Sequence, residues 1–327
     1  MWFKHLHLYR LHEQSGVSVA ELDDQLAEQA IRPMGGSEAR RLGWRTPGGR
    51  NSERFVHEIQ GHRLLSVLRQ ERHLPTSVVS EEVEERRADR EAANNRPLSR
   101  HEVRIIKEQV YEELLPRAFI KSQKIDVWWD TRRHLIGINT SSRARAEEAL
   151  DLLRMTLGSL KVTPLATQAL PIRAMTSWIK EAGNRPAGLI IGDKVELKAQ
   201  GDDGVLGARQ VDLDSDEIQQ LLESGRQAHK LAIHIDERLD LVLHGDLALK
   251  SLRFSDALLD EANQADDGDD AILRMEADFV LMAQTLAEVV ERLTGWLGGE
   301  ATSPAPLLDN LPHDNQGLAV PTEPVTA

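Results

Sequence analysis

Four groups of side chains in this 327-residue chain have the types and spacing to do chemistry. His5 and His7 stand one residue apart in an alternating segment, so both imidazoles project from one strand face. A zinc site needs a third and a fourth ligand, and the sequence nominates neither, so two partly exposed strand histidines are expected instead. Asp126 and Asp130 flank Trp128 and Trp129, and two carboxylates beside an aromatic are raw material for acid–base catalysis. Strand alternation puts both on one face, for which a solvated surface is the plainer expectation. Asp266, Asp267, Asp269 and Asp270 form a dense acidic run but lack the ligand spacing and terminal glutamate of a calcium loop. Acids just ahead of a helix are favourable at its positive end, and a solvated capping loop accounts for them.

The fourth group is basic. Between residues 100 and 145, ten Lys and Arg stand against six Asp and Glu, a local charge of +4 in a chain of net charge -13. The acidic excess lies elsewhere: residues 256 to 327 hold fifteen acidic and two basic side chains, so residues 1 to 255 are neutral. Fields act over about 8 to 10 Å at physiological salt, so the whole-chain balance does not forbid a local polyanion site. Arg117, Lys121 and Lys124 fall where a helix gives way to a strand, and Arg132 and Arg133 occupy the next turn. Several cations on one surface suffice to bind a phosphate backbone without reading sequence, although a solvated charged face is the commoner outcome. Phe119 sits among them; it is core by default, and if exposed it becomes an anchor for another subunit.

Signatures of other chemistries are missing from the sequence. There is no phosphate-cradling GxxxxGK[ST], no GxSxG elbow, no HExxH and no dinucleotide fingerprint after a strand. The chain has no cysteine, which excludes disulfides, thiolate metal sites and cysteine nucleophiles. MWFKHLHLYRL lacks the apolar core of a leader, and no window approaches the roughly 20 apolar residues of a membrane span. A cytoplasmic protein with no membrane association and no cofactor is expected, and the missing signatures lower the expectation of an enzyme without excluding one.

The elements that must position these residues form no regular βαβα alternation and no internal repeat. An α+β fold of mixed or antiparallel sheets with packed helices is predicted. Ser18 and Glu21 form a capping box opening one helix, and Ser99 and Glu102 another, whose stripe of Val103, Ile106, Val110 and Leu114 ends at Pro116. Residues 33 to 50 read as a Gly/Pro-punctuated connection, and residues 54 to 70 as two strands around Gly61. IDVWWD and HLIGINT read as a strand pair turning at residues 131 to 133. A helix from Ser141 or Ser142 to Gly158, another after Asp214, three strands between residues 229 and 254, and a long helix over 272 to 297 complete the chain. The organisation expected is a central body over residues 1–75, a projecting helical hairpin over 76–118, the rest of the body over 119–299 and a disordered tail over 300–327.

Several stretches, taken in order, carry a resemblance: MWFKHLHLYRL, the GW at 43 and 44, LLPRAF at 114 to 119, the W-x-D ending at Asp130, ALDLLRMTLGSLKVTPL at 149 to 165, LKSLRF at 249 to 254 and ADFVLM at 277 to 282. The chain resembles the RdgC family of bacterial recombination-associated proteins over nearly its whole length. The resemblance implies a non-enzymatic, nucleoid-associated protein that forms a ring-shaped homodimer around double-stranded DNA, binds it with little sequence preference, and restrains the strand-exchange recombinase by competing for DNA. Phe119, matching the family's LLPRAF phenylalanine, would lie at one ring-closing contact, with Arg117, Lys121, Lys124, Arg132 and Arg133 as DNA-binding candidates. Where relatives carry a Lys-Gln pair ahead of Asp-Leu at the second contact, this chain has Gln210 and Val211, with Arg209 just before. Gln210 is the candidate there. The competing expectations are a protein-interaction module that binds the recombinase itself and a metal-dependent nuclease.

Overall fold

Two capping boxes start two helices as the sequence demands. Ser18 Oγ accepts from the Glu21 N–H while the Glu21 carboxylate accepts from the Ser18 N–H, and Ser99 and Glu102 repeat the arrangement. The computed structural model describes residues 2–13, 16–199, 201, 204–264 and 270–301. Along the chain the elements are β1 (His5–Leu11), α1 (Val19–Glu28), β2 (Arg40–Arg45), β3 (His57–Ile59), β4 (His62–His73), α2 (Thr76–Asn94), α3 (Arg100–Leu114), β5 (Phe119–Asp130), β6 (Leu135–Ile138), α4 (Arg143–Leu157), β7 (Val162–Pro164), α5 (Pro171–Lys180), β8 (Leu189–Lys198), β9 (Val205–Arg209), α6 (Asp216–Glu223), β10 (Gln227–Ile235), β11 (Leu239–His244), β12 (Leu249–Phe254), α7 (Asp256–Gln264) and α8 (Ala271–Trp296). The fold is α+β.

One antiparallel sheet organises the body, in the order β2-β4-β5-β6-β1-β12-β11-β10-β8-β9, with β3 added to β4 and β7 to β1. β1 joins its two halves: His5 and Leu6 pair with β12, and His7 to Arg10 pair with β6. Strand alternation then sends successive side chains to opposite layers. Trp128 enters a large core with Leu6, Leu8, Leu64, Leu231, Leu243, Phe279 and Leu286, while its neighbour Trp129 enters a second core with Tyr9, Leu65, Val127, Leu150 and Leu153. α8 carries the first of these, burying Phe279, Met282, Ala283, Leu286, Val290 and Leu293 at helical spacing. α1 and α4 cover the second.

Several expectations need correction. Residues 33 to 50 are not only a connection: Arg40–Arg45 is strand β2, laddered to β4 from Arg40↔Glu71 to Arg45↔Ser66. Gly43 is required there, because a Cβ would stand 2.6 Å from the Ile31 Cα of the chain crossing over it. β5 begins at Phe119 and not at Ile125, because all twelve of its residues ladder with β4, including the polar stretch that shows no alternation of hydrophobicity. α7 was not anticipated. Asp126 and Asp130 do share a face, but it is buried, at 7% and 0% exposure. Their charges are met by specific donors: Ser66 Oγ donates to Asp126 at 2.5 Å, and the Arg132 and Arg133 N–H groups donate to Asp130 at 3.0 and 2.9 Å. His7 is likewise buried rather than partly exposed.

The α2–α3 hairpin is inserted between β4 and β5 and has its own small core of Val79, Val83, Ile106 and Val110, backed by Leu74, Leu98, Val103 and Leu114. Pro116 ends α3 through a short 3-10 turn, Leu115–Arg117. At its root the Arg72 guanidinium donates to four carbonyls, those of Pro116, Ala118, Glu38 and Gly35. Glu300 is fastened to the body rather than loose: it bridges Thr167, and its carboxylate pairs with Arg10. Asp270 caps α8 through the Ile272 and Leu273 N–H groups, whereas Asp266, Asp267, Asp269 and residues 302–327 lie outside the described residues.

Candidate nucleic-acid interface

β5 separates the basic residues that lie close in sequence. Phe119 and Lys121 share parity with Ile125, Val127 and Trp129 and so stand on the sheet face that α1 and α4 cover farther along; Lys124 stands on the other. Phe119 is 88% exposed and Ile120 44%, an apolar pair at the open end of a ribbon. Arg117 and Lys121 flank it, both exposed. Lys124 is committed, donating to the Pro47 carbonyl at 3.2 Å and pairing with Asp126 at 3.0 Å. Arg132 and Arg133 occupy the turn after β5, roughly 35 to 40 Å from Phe119 at about 3.3 Å per strand residue. Arg133 pairs there with Asp130 at 3.3 Å and Glu291 at 3.5 Å. Arg132 packs over Gly61, whose φ of +81° and lack of a Cβ leave room for it. The five cations therefore form two groups at opposite ends of one strand and not a single patch.

A second basic surface, which the sequence reading missed, lies on the β1–β9 half of the sheet. The large core occupies one face of that half; the opposite face carries cations in cross-strand register. His5 pairs with Lys250, Lys230 with both His244 and Glu196, and Lys194 with Arg209. Directly paired residues share a face, which gathers Lys194, Lys198, Arg209, Lys230 and Lys250 against Glu196, Asp240 and Asp246. Glu196 is shared by Lys230 at 2.5 Å and Lys198 at 3.8 Å, and Asp240 is taken by His234 at 2.6 Å. Among the described residues Lys194, Arg209 and Lys250 have no ion pair. The signal available in the sequence was period-two charge, as in Lys194-Val-Glu196-Leu-Lys198; each strand alone shows only a polar face, and pairing is what assembles the surface.

Four histidines report the field of that surface. His244 is pushed down to about 4, first by burial and then by Lys250 and Lys230, which outweigh Asp246 and Glu196. Burial and Lys250 lower His5; burial and Lys198 lower His229; burial lowers His7, which sits near Asp246, Lys250 and Arg143. Gln210 lies just past β9 at the far edge of the sheet, exposed, with φ of +56°. Beside it Ile190 and Val211, 56% and 36% exposed, line a cleft of about 730 Å³ with Arg185, Asp212, Asp214 and His234.

A serine–histidine–carboxylate run also exists: Ser52 Oγ lies 3.2 Å from His57 Nε2, and His57 Nδ1 lies 2.7 Å from Glu276. The imidazole is buried, and Ser52 Oγ already accepts from the Arg54 N–H. It fastens α8 to β3 and the segment before it, so His57→Ala is expected to cost about 1 to 3 kcal/mol of stability through the lost hydrogen bonds of a buried imidazole, read as a lower urea midpoint; an unchanged midpoint would refute that role. Among the described residues no group of three or more His, Asp or Glu side chains is placed to hold a metal ion, and no helix is long and apolar enough to cross a membrane.

Comparison with known proteins covers the whole of this arrangement. A family model described as "Putative exonuclease, RdgC" matches residues 1–300. The protein named Recombination-associated protein RdgC from Serratia proteamaculans (strain 568) is 38% identical over 302 residues, spanning 92% of this chain and 99% of the relative. Proteins of the same name from Yersinia pestis (strain Pestoides F) and Yersinia pseudotuberculosis serotype O:1b (strain IP 31758) are 37% identical over the same shares.

Proposed function

The chain belongs to the RdgC family, and from that premise we propose that it is a sequence-independent double-stranded DNA-binding protein, a ring-shaped homodimer that encircles the duplex and restrains strand exchange by competing with the recombinase for DNA. The observation that carries this reading is the placement of Phe119, 88% exposed at one end of the sheet, on the same sheet side as the open basic face that runs toward Gln210 at the other end. A two-fold copy meeting at both ends would enclose that face. Each contact is then isologous, with the same patch on both subunits.

Lys194, Lys198, Arg209, Lys230 and Lys250 supply phosphate contacts from the sheet, and Arg117 and Lys121 extend them to the ring-closing contact. Lys124, Arg132 and Arg133 keep a supporting role, since two of them are already held by carboxylates. Contacts to phosphate position a protein without reading bases. Nucleoid association follows from such binding, and the acidic side chains of α8, which packs on the sheet face opposite the basic one, limit adhesion to other polyanions.

Fluorescence anisotropy of two duplexes of unrelated sequence across a salt series tests this. Both should bind alike, with log affinity falling steeply and linearly against log salt. Lys194→Gln with Lys250→Gln should weaken both duplexes equally and flatten the slope by about 1 for each phosphate contact removed. Failure to bind at low salt would sink the proposal; an unchanged slope in the double variant would move the DNA off this face. The nuclease alternative is favoured by the description of the family model, and duplex left intact after incubation with magnesium or manganese removes it. Capture of the recombinase in nuclease-treated mixtures would instead support direct protein interaction.

A further inference from the structure

The open sheet face interleaves imidazoles with ammonium groups. His5 is laddered directly to Lys250, and His244 to Lys230, so each pair has Cβ atoms about 4.5 to 5.5 Å apart on one face. The irregularity after Ala228 turns His229 out beside Lys230. All three histidines are half-buried rather than enclosed, whereas His7 is shut in. On the premise that this face binds duplex DNA, we propose that binding takes up protons here: His5, His229 and His244 charge as phosphates arrive, so affinity rises as the pH falls below neutrality.

The charges around each histidine set the sign. His244 faces Lys250 and Lys230 against Asp246 and Glu196; His229 faces Lys198 and Lys230 against Glu196; His5 faces Lys250 and Lys4. In the free protein burial and these ammonium groups keep the imidazoles neutral. A DNA backbone lying across the face adds negative charge among the lysines and reverses the balance. The bound state then holds more protons than the free state, and linkage requires tighter binding at lower pH. An imidazole that recovers its ordinary pKa of about 6.5 from about 4 contributes about tenfold in affinity at pH 5.5 relative to pH 8. For the free protein the sign is opposite: histidines held below their unfolded pKa make the fold less stable as the pH drops from about 6.5, so DNA should protect it most under acid conditions.

Two measurements on the full chain test this. Anisotropy with one duplex at fixed ionic strength, from pH 5.5 to 8.5, should show the dissociation constant falling at least tenfold toward low pH, and the His5→Gln, His229→Gln, His244→Gln triple variant should flatten that profile. Calorimetric titration of the unmodified protein at pH 6, in two buffers of different ionisation enthalpy, should show net proton uptake whatever the variant does. Zero uptake with a flat profile, or a full slope persisting in the triple variant, overturns the inference while DNA binding stands. Absence of binding at every pH overturns the DNA-binding function itself.

Discussion

Phe119→Ala should take the proposed dimer apart while leaving the monomer as stable as before. The side chain is 88% exposed, so its removal costs the folded chain little, within about 0.5 kcal/mol as for other surface substitutions. At a subunit contact a buried aromatic anchor is worth about 2 kcal/mol or more, roughly 30-fold in the dissociation constant. Sedimentation across a concentration series, paired with urea unfolding at a concentration where the protein is already monomeric, separates the two effects. DNA affinity should fall with the dimer. A dimer of undiminished strength would return Phe119 to the status of an exposed ribbon residue, and the ring would lose its first closure.

Asp130→Ala should cost more stability than any surface change, about 3 kcal/mol or more. The carboxylate is fully buried, accepts the N–H groups of Arg132 and Arg133, and lies 3.3 Å from the Arg133 guanidinium and 3.7 Å from His62 Nδ1. Alanine leaves two turn amides with nothing to bond and removes the neighbour that favours a charged His62, whose proton affinity burial already lowers. Asp130→Asn, which keeps one acceptor, should recover part of the loss. The urea midpoints of the three proteins, at equal slope, give the comparison; an alanine variant within 0.5 kcal/mol of the parent would show that solvent replaces the lost bonds and that the turn is not as closed as it looks.

The helices were legible because their signals are local. Ser18 with Glu21 and Ser99 with Glu102 announce their starts within four residues, and Gly158 and Pro116 announce ends. The early part of β5 was not legible, since Phe119 to Lys124 are held in extended form by β4, some fifty residues away, and not by any pattern of their own. For the same reason Asp126 and Asp130 read as solvated: the sequence shows their alternation, while Ser66 and the turn amides that permit burial come from the partner strand and the fold. The basic surface divides likewise. The cations near Phe119 are close in sequence and were found; Lys194, Lys230 and Lys250 become neighbours only through the ladders of β8, β10, β11 and β12.

β1 stands in the middle of the sheet, between β6 and β12. On a ribosome it emerges ahead of the other described strands, yet its second partner starts at Leu249. At the usual 5 to 20 residues per second, its edge waits roughly 10 to 50 s for that partner. β6 arrives at about the halfway point, so the half-sheet β2-β4-β5-β6-β1, with its own core, can assemble while the rest is still being made. Until β12 arrives, the edge later buried at His5 and Leu6 is an open strand that a second nascent chain could pair with. Synthesis rate, and not only sequence, thus bears on how much of this protein reaches a closed sheet.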